Sequence, residues 1–146
     1  AALMPQADVC AVDVSAAALL VARQNAERHG AQVTFAQGDL LTPFRDRQFD
    51  LVMANLPYIA ADEVPTLAVS RYEPVLALDG GGDGLDLIRR LIAQIPQVTL
   101  PGALILLEIG AGQGAATLEI AQRLNPAASE VIPDYAGHDR IVKLVR

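Results

Sequence analysis

The sequence predicts a doubly wound α/β sheet, mostly parallel, with an antiparallel hairpin at its carboxyl-terminal end. Three observations predict it. Short apolar runs alternate with segments of helical periodicity, the signature of strands joined by helical crossovers. The run at 49–54 is nearly continuous in apolar residues, as a strand of a parallel sheet buried on both faces is, and 103–108 is a strongly apolar strand as well. The last two runs, near 130–133 and 140–145, are joined by a polar segment too short for a helix, so they must pair antiparallel.

Taken in order, residues 9–13 form a short apolar strand ending in Asp13. The next segment has helical spacing: Leu19, Ala22, Ala26 and His29 share one stripe, Ser15 is a natural N-cap, and Gly30 can take the left-handed conformation that ends a helix. Residues 33–37 are a strand rich in β-branched and aromatic side chains, stopped by Gly38-Asp39. A polar loop with Pro43 leads to the strand at 49–54. From Asn55 to Asp83 the chain carries Pro57, Pro65, Pro74 and three successive glycines, and a long irregular stretch in a compact domain is usually functional. Leu85, Ile88, Leu91, Ile92 and Ile95 then mark one face of a helix, Pro101-Gly102 reads as a turn, and 103–108 is the next strand. A helix over 115–124, ended by Asn125-Pro126, precedes the closing hairpin.

Composition bounds the function. With 146 residues, 52% of them hydrophobic and 19% charged, the chain has the size of one domain and the material for a core, which excludes disorder and low-complexity architecture. No apolar run reaches the length of a membrane span, and no signal-type segment opens the chain, so the expected location is the cytoplasm. The balance of 17 acidic against 11 basic residues, with no basic cluster, argues against a direct nucleic-acid partner. The single cysteine, Cys10, has no internal disulfide partner and reads as a buried inert thiol. No Cys or His grouping has metal-ligand spacing and no Ser-His-Asp arrangement is apparent, so no metal is expected. His29 and His138 read as a helix-end and a turn residue.

In open α/β sheets ligands bind beyond the carboxyl ends of the strands. Three of those ends are polar here: Asp13, Gly38-Asp39, and Asn55-Leu56-Pro57-Tyr58. A carboxylate after one strand can accept hydrogen bonds from the two hydroxyls of a ribose, and one in the next loop can accept from an adenine amino group. Each alone also reads as a turn residue or helix cap. A dinucleotide-type glycine loop precedes the ribose acid by about 20 residues, which from Asp13 falls upstream of Ala1. The chain is therefore expected to lack its first strand and glycine loop, in keeping with an opening, 1–5, that reads like the tail of a helix. The glycines at 110, 112 and 114 follow a strand and open a helix, but read better as close packing of helix on strand than as that loop.

The sharpest signal is Asn55-Leu56-Pro57-Tyr58. An amide or exocyclic amine nitrogen is a poor nucleophile because its lone pair is delocalised, so a site must hold both N–H groups to free that pair. The Asn55 side-chain oxygen and the carbonyl of Leu56 can each accept one, Pro57 stiffens the loop and Tyr58 supplies a flat wall. The alternative is an Asn-initiated turn after a buried strand.

At this point the sequence resembles the class I S-adenosylmethionine-dependent methyltransferases, specifically the HemK/PrmC family that methylates a glutamine amide in peptide chain release factors. The resemblance covers essentially all of residues 1–146, and rests on 11–15, Gly38-Asp39, 49–52 with 54–59, Arg71-Tyr72-Glu73-Pro74 followed by Ala77-Leu78 and 81–85, Leu106 to Gly110 with Gln113-Gly114, and 134–140. It implies a Rossmann-like sheet, here as a partial catalytic domain with an amino-terminal substrate-recognition domain upstream. It implies S-adenosylmethionine as cofactor, with Asp13 as the ribose acid beside Val14, and Asp39 as the adenine-side acid between Gly38 and the Leu40 backbone N–H. Asn55, Leu56, Pro57 and Tyr58 match the family's Asn-Pro-Pro-Tyr motif, Asn55 bordering the cofactor as well as the glutamine. Leu56 departs from the usual proline, but only a backbone carbonyl is asked of that position. Tyr72 and Glu73 would shape the wall or lid over the substrate, packing being the alternative. Asn-Leu-Pro-Tyr is also how ribosomal RNA adenine dimethylases look, so an adenine-N6 methyltransferase acting on RNA or DNA is the second reading, and a non-catalytic α/β binding module the third.

Overall fold

The computed structural model describes residues 1–4 and 6–146. These divide into two compact units, Ala1–Asp46 and Arg47–Arg146.

The first unit holds strand β1 (Cys10–Asp13), helix α1 (Ala16–Arg28) and strand β2 (Thr34–Gln37). A β-strand, a helical crossover and a second parallel strand follow from the sequence as expected, with Asp13 opposite Gln37 in register. Ser15 caps α1, its hydroxyl accepting from the Ala18 amide at 3.2 Å, and Gly30 (φ +60°) closes the helix. Of the predicted stripe only Leu19 is buried; Ala22 and Ala26 are half-buried and His29 is exposed. Leu41 and Phe44, around a 3₁₀ turn at Thr42–Phe44, complete the small core of this unit. Cys10 is half-buried, not buried as expected. Residues 1–4 form one hydrogen-bonded turn where a helix end was expected, and Pro5, part of that expectation, lies outside the described residues.

The second unit holds strand β3 (Phe49–Asn55), helix α2 (Asp86–Val98), strand β4 (Thr99–Glu108), helix α3 (Gly114–Ala121) and the hairpin β5 (Ala128–Pro133) with β6 (Asp139–Val145). Its sheet has the order β3-β4-β6-β5: β3 and β4 are parallel, and the hairpin joins antiparallel with β6 against β4, as the short connection required. Ile88, Leu91, Ile92, Ile95 and Val98 of α2 are all at most 2% exposed and meet a sheet face carrying Ile105 and Leu107. Each such side chain contributes roughly 1.5–3 kcal/mol by leaving water, so this helix anchors the unit.

Two expectations are corrected. The apolar run of β3 is not covered on both faces: Val52 is buried, whereas Leu51 and Met53 are 43% and 70% exposed. Leu51 and Met53 alternate with Val52 along the strand, so the face of β3 that carries them is left uncovered by the described residues. Pro101-Gly102 is not a turn but lies inside β4, because the chain end clamps it: the Gly102 amide donates to the Arg146 carbonyl and the Arg146 amide to the Ala103 carbonyl. The described strands form a two-stranded sheet, β1-β2, and a four-stranded one.

Candidate active site

In the first unit, the carboxyl ends of β1 and β2 bring the predicted acids close along the chain's own hydrogen bonds. The Gly38 amide donates to the Asp13 carbonyl at 3.1 Å, which sets the loop carrying Asp39 against the end of β1. Asp13 is exposed; its Oδ1 accepts from the Ser15 amide at 2.7 Å, which orients the carboxylate, and no hydrogen bond to its Oδ2 occurs among the described residues. Val14 is half exposed beside it. Asp39 is exposed too, and its carbonyl is held by the Thr42 hydroxyl and amide. Leu40 has φ +51°, a left-handed conformation that a leucine adopts only when its surroundings impose it. Gly38 has no room for a side chain, since a Cβ would fall 2.2 Å from Pro43. Two exposed carboxylates beside a tight loop of backbone are hydrogen-bond acceptors of the kind that a nucleoside's hydroxyls and exocyclic amine donate to, so the chemistry of these residues fits the adenosine part of S-adenosylmethionine. A cavity of about 580 Å³ also lies in this unit, lined by Val9, Arg23, Glu27 and Phe35 among others. It sits at the amino-terminal ends of the strands, away from both acids, and has no part in this site.

In the second unit, Asn55 is the last residue of β3 and pairs in register with Glu108, the last of β4. Its side chain is exposed, and neither its amide nor the Leu56 carbonyl takes a hydrogen bond from another described residue. Two unclaimed polar groups side by side are what holding a substrate amide demands. Tyr58 is bound from two directions. Its carbonyl accepts from Gln113 Nε2 at 3.0 Å, and its ring lies so close to the backbone of Gly110 that a Cβ there would be 3.1 Å from Tyr58 Cδ2. The chain then runs on alongside 78–80, the Ile59 amide donating to the Leu78 carbonyl and the Gly80 amide to the Ile59 carbonyl. Tyr72 and Glu73 stand apart: both are exposed, Tyr72 at 86%, and no hydrogen bond or ion pair links them to 55–58 among the described residues.

The glycine cluster is claimed by packing. The Gly114 amide, at the start of α3, donates to Asp139 Oδ2 at 3.1 Å, and a Cβ on Gly114 would be 2.6 Å from that oxygen. Behind it, Arg140 donates to the Ile109 carbonyl at 3.1 Å and pairs with Asp134 at 3.2 Å. The Asp134 bond raises the Arg140 pKa, while the His138 amide, more than Arg140, holds the Asp134 carboxyl below its usual range. Gln113, Asp139 and Arg140 carried no role in the sequence reading. A Gln at the entry of a helix three residues after a glycine was the available signal for the first of them.

No group of three or more potential metal ligands occurs among the described residues. No helix among them is long and apolar enough to cross a membrane.

A family model described as a methyltransferase domain matches residues 1–80, more than half of the chain. The chain belongs to the methyltransferase-domain family. Among curated relatives, the release factor glutamine methyltransferase of Moorella thermoacetica is 47% identical over 141 residues, covering 94% of this chain and 50% of that protein. The chain thus spans about half the length of the curated relatives it matches. Among solved structures, a methyltransferase from Pyrococcus furiosus aligns with a TM-score of 0.70 at 16% identity, over 94% of this chain and 62% of that one. The release-factor-specific protein-(glutamine-N5) methyltransferase of Alicyclobacillus acidocaldarius aligns with a TM-score of 0.55 at 21% identity, over 98% and 84%. At these identities the likeness is one of fold. It is the methyltransferase fold that the sequence predicted, with parallel strands first and antiparallel strands last.

Proposed function

We propose that this methyltransferase domain transfers a methyl group from S-adenosylmethionine to the side-chain amide nitrogen of a glutamine, in the Gly-Gly-Gln segment of a peptide chain release factor. The observation that carries the proposal is the unclaimed pair at the end of β3, the Asn55 amide and the Leu56 carbonyl, in a loop anchored at Tyr58. The names of the relatives at 40–47% identity agree with it. The acidic balance of 17 against 11 also suits a protein substrate better than RNA or DNA, the alternative adenine-N6 reading.

In this reading Asp13 holds the ribose hydroxyls, and Asp39 with the Leu40 amide holds the adenine, between Val14 and Gly38. Bound S-adenosylmethionine supplies an electrophilic methyl group on a sulfonium, so the protein needs no strong base to activate it. Asn55 Oδ1 and the Leu56 carbonyl each accept one N–H of the glutamine amide. That turns the nitrogen lone pair out of conjugation with its carbonyl, and holding the reacting group in such a conformer removes much of the barrier's entropy. Pro57 restricts the loop and the Tyr58 ring forms the wall along the glutamine side chain. Tyr72 and Glu73 lie on an exposed segment suited to meeting the substrate protein. The new N–C bond would form as the methyl group's bond to sulfur breaks, its electron pair returning to sulfur in the departing S-adenosylhomocysteine, and the amide nitrogen would shed its proton to water.

We further propose that residues 1–146 are part of a longer catalytic domain, with a first strand, a glycine loop and a substrate-recognition domain upstream, and that the enzyme works in the cytoplasm. Supporting this, β1 and β3 are each edge strands of their sheets, and the relatives are twice as long. A form extended upstream is then expected to bind S-adenosylmethionine more tightly than the 146-residue chain; equal affinity would contradict it. The test of function is to offer the extended form a Gly-Gly-Gln peptide and an RNA and locate the methyl group by mass spectrometry. Methyl on the glutamine amide alone is expected. Transfer to adenine would overturn the proposal.

A further inference from the structure

The 55–58 segment is bracketed at both ends by one stretch of chain, the end of β4 and the turn into α3. Asn55 is paired with Glu108 in the sheet. Three residues on, Tyr58 is tied to the turn by a single side chain. Gln113 Oε1 accepts from the Gly110 amide at 2.9 Å while its Nε2 donates to the Tyr58 carbonyl at 3.0 Å. Both ends of one planar amide are thus used, one facing the turn and the other facing the loop.

The glutamine itself has little freedom to wander. Its backbone amide donates to the Gly110 carbonyl at 3.1 Å and its carbonyl accepts from Thr117 at 2.9 Å, the first bond of α3. Gly84 closes the other side: a Cβ there would lie 2.8 Å from Gln113 Nε2 and 2.3 Å from the Tyr58 oxygen. The turn is fixed in its own right by Arg140, which donates to the Ile109 carbonyl and is itself held by Asp134. A continuous run of hydrogen-bonded groups therefore leads from the terminal hairpin through Arg140, the 109–110 peptide and Gln113 to Tyr58.

We infer that Gln113 is a positioning residue for the methyl transfer: it sets where the Tyr58 end of the loop stands, and with it the direction of the Leu56 carbonyl. This inference rests on the proposed role of 55–58 in holding the acceptor amide. A glutamine is required because the Gly110 side needs an acceptor and the Tyr58 side a donor, and one neutral amide supplies both. Glutamate meets the first requirement while ionised and the second only once protonated. Methionine, of similar length, meets neither.

The test uses Gln113→Met and Gln113→Glu in the extended enzyme, assayed on a Gly-Gly-Gln peptide, with amide hydrogen exchange recorded on the same proteins. Gln113→Met is expected to lower kcat about 10- to 100-fold, the effect of about an ångström of misplacement, with S-adenosylmethionine affinity unchanged. Gly110 amide protection is expected to fall in Gln113→Met and to persist in Gln113→Glu. The activity of Gln113→Glu relative to the natural enzyme is expected to rise as pH is lowered toward the range where a glutamate facing a carbonyl protonates, above its ordinary value of about 4.3. A merely structural side chain would not give that pH-dependent recovery. A kcat for Gln113→Met equal to that of the natural enzyme, or a pH-independent activity ratio for Gln113→Glu, would overturn the inference alone. A natural enzyme that methylates adenine and not glutamine would overturn the functional reading first, and the inference with it.

Discussion

Gly84→Ala should couple the stability of the fold to the geometry of the substrate loop. Gly84 has φ +75°, and a Cβ built on it would fall 2.3 Å from the Tyr58 oxygen, 2.8 Å from Gln113 Nε2 and 3.0 Å from the Tyr58 carbonyl carbon. The left-handed backbone costs an L residue roughly 1–2 kcal/mol. The Tyr58 carbonyl is backbone and has no rotamer by which to step aside, so its bond from Gln113 is broken as well, at about 1–2 kcal/mol for two partly buried groups. A total of about 2–4 kcal/mol is expected, a large share of a typical domain stability of about 5–15 kcal/mol. Equilibrium urea unfolding measures it, with Gly82→Ala as the control. A Cβ at Gly82 meets nothing within 4 Å and needs no left-handed backbone, so that variant should stay within about 0.5 kcal/mol. If Gly84→Ala unfolded at the same urea concentration as Gly82→Ala, the account of how the loop is packed would be wrong.

Two further outcomes are expected. Asp13→Asn keeps an oxygen for the Ser15 amide but loses the charge proposed to face the ribose. It should weaken S-adenosylmethionine binding about 10- to 100-fold by calorimetry, as charge-assisted hydrogen bonds of about 1.5–3 kcal/mol are lost, with little change in melting temperature; unchanged affinity would remove Asp13 from the site. Asp83 has its pKa lowered to about 2, chiefly by the hydrogen bonds from Arg89. The folded pKa lies below the unfolded one, so the stabilisation is present above about pH 4 and is lost as pH falls toward 2. The stability gap between the natural chain and Asp83→Asn should therefore close over that window in acid unfolding curves.

What was legible in the sequence followed how local each signal is. The α2 face from Leu85 to Ile95 could be read in full because five apolar residues at helical spacing have one way to be buried together. Ser15 and Gly30 marked the ends of α1 for equally local reasons, and the short link between the last two strands fixed their antiparallel pairing. Legibility failed where a distant partner decides. Pro101-Gly102 has the local chemistry of a turn, yet Arg146 at the far end of the chain holds it in β4. The run from Phe49 to Ala54 is apolar enough for burial on both faces, but whether Leu51 and Met53 are covered depends on what packs against β3 and not on β3 itself. The candidate site divides the same way. Asp13, Asp39 and Asn55 were visible because a polar residue ending an apolar strand is a local contrast. Gln113 was not, because its hydrogen-bond partner on the loop lies 55 residues earlier in the chain.

The most direct test of the central claim is Asn55→Ala in the extended enzyme, with peptide methylation and S-adenosylmethionine binding measured on one preparation. If Asn55 and the Leu56 carbonyl hold the acceptor amide, methyl transfer to the Gly-Gly-Gln peptide falls to background while cofactor affinity stays within about twofold, a change of less than 0.5 kcal/mol. Transfer that survives the substitution, or transfer and cofactor binding lost in equal measure, would contradict the account.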